Sequence, residues 1–140
     1  MHATSRTMLM QIIDFARGEI ADLGRYSKLE YKQYSEDKDV RRLVDRMIEN
    51  ITNALIDIAK IVISDNNLEI PDSYAGIMEK IGGIFNFNDE EKTSLIQIPK
   101  LRNILAHEYL DIKWKNIKNF IDIYQLTAKL LIEKTGNLLQ

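Results

Sequence analysis

The sequence predicts an all-α fold: one domain over residues 1–140, an antiparallel bundle of about five helices. Three observations carry this expectation. Apolar residues recur at three- and four-residue spacing along most of the chain. Only two prolines and six glycines interrupt that spacing. The 140 residues suit a single hydrophobic core, with no internal repeat, low-complexity tract or linker to divide it.

Each element has its own signal. Leu9, Ile12, Ile13, Ala16, Ile20 and Leu23 share one helical face, which predicts a first helix over about Arg6 to Tyr26, weakened by Gly18 and Gly24. Ser27 to Glu36 is polar and reads as a connector that can hold some helix, with Tyr31 and Tyr34 covering the core edge. The second helix is the clearest. Val40, Leu43, Val44, Met47, Ile48, Ile51, Leu55, Ile58 and Val62 keep helical spacing, Asp37 or Asp39 can cap the start, and Asp65-Asn66-Asn67 ends it. So long a helix with so wide an apolar face is expected to bury part of itself against a second subunit.

Pro71-Asp72-Ser73 opens a short third helix, with Tyr74, Ile77, Met78 and Ile81 on one side and Gly82-Gly83 expected to close it. That glycine pair has no following Lys-Ser/Thr, so it is not a phosphate loop. Asn88 caps the fourth helix, with Glu91 at the reciprocal capping position, and the helix is expected to reach about Tyr109 with a kink at Pro99. The fifth starts after Asp111, carries Trp114 (expected in the core), Ile117, Ile121, Tyr124, Leu130 and Leu131, and ends near Gly136.

Composition excludes several classes of function. Cysteine is absent, which removes disulfides, thiolate zinc sites and thiol nucleophiles. No apolar run reaches the roughly 20 residues of a membrane span. No apolar block follows the N-terminal Met1-His2-Ala3-Thr4-Ser5-Arg6, so the expected location is cytoplasmic. Lys and Arg number 19 against 21 Asp and Glu, for a net charge of −2. A chain that coats nucleic acid is clearly basic, so any RNA contact here is local.

The segment Arg102-Asn103-Ile104-Leu105-Ala106-His107-Glu108-Tyr109 stands apart. At about 100° per residue, Arg102, Ala106 and Tyr109 fall on one helical strip, and Asn103 and His107 on the strip beside it. A guanidinium, an amide, an imidazole and a phenol thus gather on one side, while Leu101, Ile104, Leu105 and Leu110 face the core. These groups suit phosphodiester cleavage, in which the 2′-hydroxyl of RNA attacks its own phosphate. Imidazole serves as base or acid near neutral pH. Arginine offers a planar fork to phosphate oxygens. No metal is required, and no cofactor is implied.

Arg102 alone also fits a surface ion pair with Glu108 or a neighbouring acid. His107 alone fits a helix C-terminus favoured by the dipole. The combination with Asn103 and Tyr109 carries the functional reading. The only other histidine is His2, so a second proton carrier must be His107 of another chain, Tyr109 or a water. Lys100, Lys113 and Lys115 lie near the motif as possible RNA contacts, within a stretch over 100–118 of five cations against two carboxylates. Arg41, Arg42 and Arg46 read as solvated charge on the second helix.

Arg102-Asn103-x-x-x-His107-x-Tyr109 resembles the R-x4-H-x-Y signature of the HEPN superfamily, and specifically the HepT-like toxins of prokaryotic toxin–antitoxin pairs. The long second helix, the Pro71-Asp72-Ser73-Tyr74 turn and the motif's place near the end of the fourth helix are similar too, over about residues 8 to 132. The resemblance implies a homodimeric all-α toxin of a type VII pair, with the motif lining a cleft at the dimer interface. It implies a metal-independent endoribonuclease, with tRNA among the substrate classes. Arg102 and His107 would be the catalytic pair and Asn103 a positioning residue. The implied partner is an MntA-like nucleotidyltransferase antitoxin that transfers AMP from ATP onto Tyr109. Pro99 just upstream departs from the family pattern and can tilt the motif. The alternative is a non-catalytic helical module that docks a nucleotidyltransferase or a nucleotide.

Overall fold

The first helix, α1, runs Ala3–Leu23 and buries Leu9, Ile13, Ala16, Ile20 and Leu23, the face expected from the spacing. A single 3-10 turn, Gly24–Tyr26, ends it. The structure, a computed structural model, describes residues 1–140 and contains no strand. The polar connector holds a short helix, α2 (Tyr31–Glu36), whose Tyr34 is fully buried.

Helix α3 spans Lys38–Asp65, 28 residues or about 42 Å. Of the two candidate caps it is Asp37 that acts: its carboxylate accepts from the backbone N–H of Asp39 and Val40, both at 3.1 Å. From Ile51 to Ile63 burial extends nearly all round α3, because α1 packs along it on one side while later helices cover the others. The wide apolar face is therefore taken up inside this chain. The width of α3 is no longer a reason to expect a second subunit; of the residues that defined the face, only Leu43 is exposed.

Both α3 and α4 (Tyr74–Ile84) end on asparagine rather than glycine. Asn67 and Asn86 adopt left-handed conformations, φ 59° and 58°. After α3 the N–H of Leu68 returns to the Ile63 carbonyl and that of Asn67 to Ser64; after α4, Phe87 returns to Gly82 and Asn86 to Gly83. These paired bonds satisfy carbonyls left open at each helix end. Gly82 and Gly83 lie inside α4 and do not close it, contrary to expectation. Gly82 serves a close approach instead: a Cβ there would sit 2.9 Å from Lys92 Cγ on the next helix.

That next helix, α5 (Asp89–Gln97), starts with the expected reciprocal cap, Asn88 and Glu91 exchanging 2.8 Å bonds. Pro99 does more than kink it. It sits in a 3-10 turn, Ile98–Lys100, that divides the expected fourth helix into α5 and a two-turn α6 (Leu101–His107). Helix α6 stops at His107, so the expectation that the helix reaches Tyr109 is corrected. Glu108 and Tyr109 are extended, with ψ near 160°. Helix α7 (Leu110–Asn119) follows, joined through a π-helical turn, Phe120–Tyr124, to α8 (Gln125–Leu138). The core is one cluster of 33 buried residues drawn from nearly every helix. No helix is long and apolar enough to cross a membrane.

Candidate active site

Helix α6 is short, yet its two turns sort the motif by face. Leu101 and Leu105, four apart, are buried; Arg102 and Ala106, and Asn103 and His107, are exposed. The two leucines anchor the helix, and the 3-10 turn at Pro99 sets where it begins. The polar strip then borders an open groove of about 590 Å³ between α6, the start of α4 and the middle of α3. Lys100, Arg102, Asn103 and His107 line it together with Glu49 from α3 and Tyr74 from α4. Ile96, Pro99 and Leu105 supply the apolar part of the wall. A larger hollow, about 710 Å³, lies around α2, but it is lined only by polar side chains of both signs and holds no motif residue.

Arg102 is the best-defined member. Its Nη1 donates to the Tyr74 hydroxyl at 2.9 Å, and its Cζ lies 5.3 Å from the centroid of the same ring. Tyr74 was expected on the core side of its helix with Ile77 and Met78. Those two are buried, but Tyr74 is 44% exposed and faces the groove. Neither Tyr74 nor Glu49 was legible as a site residue. Tyr74 lies 28 positions from Arg102, and nothing in local spacing reports a contact over that distance.

Tyr109 takes no part in lining the groove. It is 83% exposed on the extended stretch just past α6, so helical phase does not place it beside Arg102. Of the nearby lysines, Lys100 lies at the groove and Lys115 is exposed on α7. Lys113 is engaged elsewhere, its Nζ 3.9 Å from the Asp45 carboxylate with both side chains about one-fifth exposed. Lys118 pairs with Asp122 at 3.3 Å. His2 stands at the start of α1 and does not line the groove.

Beneath α7 lies a polar cluster that the spacing did not reveal. The Tyr34 hydroxyl donates to Asp45 at 2.6 Å, and the Trp114 ring packs 5.3 Å from that of Tyr34 and 6.1 Å from that of Tyr31. Burial pushes the Tyr34 hydroxyl far above its ordinary range, with the hydrogen bond to Asp45 and its charge adding to the shift. Burial also raises Asp45, against the opposing pull of Tyr34, Lys113 and Arg41. Arg41, expected to be solvated, reaches back to the backbone carbonyls of Tyr34 and Ser35 at 3.2 and 2.8 Å. The cluster fastens α2 and α7 to α3, and so holds the segment that follows the motif.

The groove brings two cations, an amide and an imidazole to one open wall. No group of three or more His, Asp or Glu side chains in the chain is arranged to hold a metal ion. No curated protein and no solved structure matches the chain at a significant level. A family does: residues 16–128, most of the chain and all of the motif, match the family described as ribonuclease HepT-like. The chain belongs to the HepT-like ribonuclease family.

Proposed function

We propose that the α6 groove is the active site of a toxin-type endoribonuclease. The observation that carries this reading is that Lys100, Arg102, Asn103 and His107 line one open groove in a chain of a ribonuclease family. RNA supplies its own nucleophile. His107 accepts the proton of the 2′-hydroxyl as that oxygen attacks the adjacent phosphorus, the bond from phosphorus to the 5′-oxygen breaks, and a 2′,3′-cyclic phosphate remains. Arg102 neutralises the charge on the phosphorane-like transition state. Asn103 orients the phosphate, and Lys100 holds the neighbouring backbone. The 5′-oxygen takes its proton from a water, from Tyr109, or from the His107 of a second copy across a homodimer. The single imidazole at this groove favours the dimer. With His107 and Glu49 as its only imidazole and carboxylate, the groove suits chemistry without a metal ion.

The chain would then act as the toxin of a type VII pair, with tRNA among its candidate substrates. Its partner would be an MntA-like nucleotidyltransferase that transfers AMP to Tyr109, releasing pyrophosphate. The 83% exposure of Tyr109, on extended backbone next to the motif, supports that reading: a second enzyme can reach the hydroxyl. Expression without a partner should arrest growth and degrade RNA, and His107→Ala should abolish both effects. Equal toxicity from His107→Ala would defeat the nuclease reading. With a cognate nucleotidyltransferase and ATP, intact-mass measurement should show the added mass of AMP on the native chain and none on Tyr109→Phe.

The net charge of −2 favours a second reading, a non-catalytic module that docks a nucleotidyltransferase or a nucleotide. It predicts a purified chain that binds such a partner and leaves RNA intact.

A further inference from the structure

Arginine in an open groove ordinarily samples many rotamers. Holding it in one of them costs side-chain entropy. Arg102 is exposed, yet it touches Tyr74 in two ways at once. Nη1 donates to the phenol oxygen at 2.9 Å, and the guanidinium carbon sits 5.3 Å from the ring centroid. Both contacts go to one side chain and hold the guanidinium beside the Tyr74 ring.

The base on which Tyr74 stands is itself built. Ser73 caps α4, its hydroxyl accepting from the Gly76 N–H at 3.0 Å. A Cβ at Gly76 would lie 2.9 Å from Pro71 Cβ and 3.0 Å from Ser73 Oγ, so the chain before α4 folds tightly onto its first turn. Lys60 of α3 brings a second cation to the ring, its Nζ 5.9 Å from the centroid. Tyr74 thus stands on a closely packed first turn of α4 and lines the same groove as Arg102.

We propose that Tyr74 is a positioning residue for Arg102. It accepts one N–H of the guanidinium and leaves the remaining donors directed into the groove for a phosphate. This rests on the reading of the groove as a phosphate-cleaving site. Tyr74 acts through Arg102 and need not touch the substrate.

Two measurements test it, one without activity. Tyr74→Phe keeps the ring and removes the oxygen, so the fold should be retained with an unchanged melting temperature. The Nε–H resonance of Arg102, identified by its loss in Arg102→Lys, should report a guanidinium that rotates freely in Tyr74→Phe and is restricted in the native chain. In RNA cleavage, Tyr74→Phe should lower kcat roughly tenfold with little change in KM, as expected for a misplaced transition-state contact. Tyr74→Leu, which loses ring and oxygen, should lower it further. In an Arg102→Lys background, Tyr74→Phe should have no added effect. An equal loss in that background, or an Arg102 guanidinium as restricted in Tyr74→Phe as in the native chain, would overturn the assignment. If the native chain cuts no RNA, the nuclease reading fails, and the resonance alone decides whether Tyr74 holds Arg102.

Discussion

Asp45 shows how a residue outside the groove holds its surroundings in place. Its carboxyl is raised above the usual 3.8, chiefly by burial. A carboxyl raised in this way binds its proton more tightly in the folded chain than in the unfolded one. Its contribution to stability is present below pH 3.8 and is lost as pH rises toward the folded-state value. Denaturation of native and Asp45→Asn chains across pH should therefore show the native chain losing ground to the variant as pH is raised from 3.8. A constant gap would show that the carboxylate is solvated and paired well enough to carry no such cost. Tyr34→Phe tests the other partner: it leaves Asp45 without its 2.6 Å donor and should cost about 1–3 kcal/mol. The contact was unreadable in sequence, because Tyr34, Asp45 and Trp114 meet only when three separate helices pack.

At the scale of elements, sequence reading succeeded where a single period ran uninterrupted and failed at the joints. Helix α3 was legible because its apolar spacing persists for its full length and Asp37 stands at its start. The shared exposed side of Arg102, Asn103 and His107 was legible because neighbouring helical strips stay together even in two turns. Tyr109 was misplaced because no Gly or Pro marks the end of α6; the chain simply turns extended at Glu108. The glycines show the same limit. Gly82-Gly83 looked like a stop signal, while the stop lies at Asn86. Space around each glycine gives a paired prediction. A Cβ at Gly18, inside α1, would meet nothing within 4 Å, so Gly18→Ala should stabilise the chain by about 0.5–1 kcal/mol through helix propensity alone. Gly82→Ala gains the same propensity but must push Lys92 away, so its melting temperature should fall below that of Gly18→Ala. A Gly82→Ala variant as stable as Gly18→Ala would mean that Lys92 yields freely to the added Cβ, which would otherwise lie 2.9 Å from its Cγ.

For the whole molecule, the all-α class followed directly from periodicity, since few residues break it and one core suffices for 140 residues. The division into eight α-helical segments in place of about five reflects Pro99, the π turn and the short α2, all local departures within longer helical runs. The second copy inferred for catalysis now rests on proton bookkeeping at the groove, since α3 is covered within one chain. With a second copy completing the groove, the purified chain sediments at twice its monomer mass; a strict monomer that still cleaves RNA would assign the second proton to water or Tyr109.

At the groove, the proposed role of Arg102 and His107 is to drive attack by the 2′-oxygen of RNA on its own phosphate. End-group analysis of RNA cut by the purified chain in the presence of a chelator tests it most directly. The expected products carry 2′,3′-cyclic phosphate and 5′-hydroxyl ends, and His107→Ala should slow their formation by about 10²–10⁴-fold. Products with 3′-hydroxyl and 5′-phosphate ends, or cleavage that persists undiminished in His107→Ala, would contradict it.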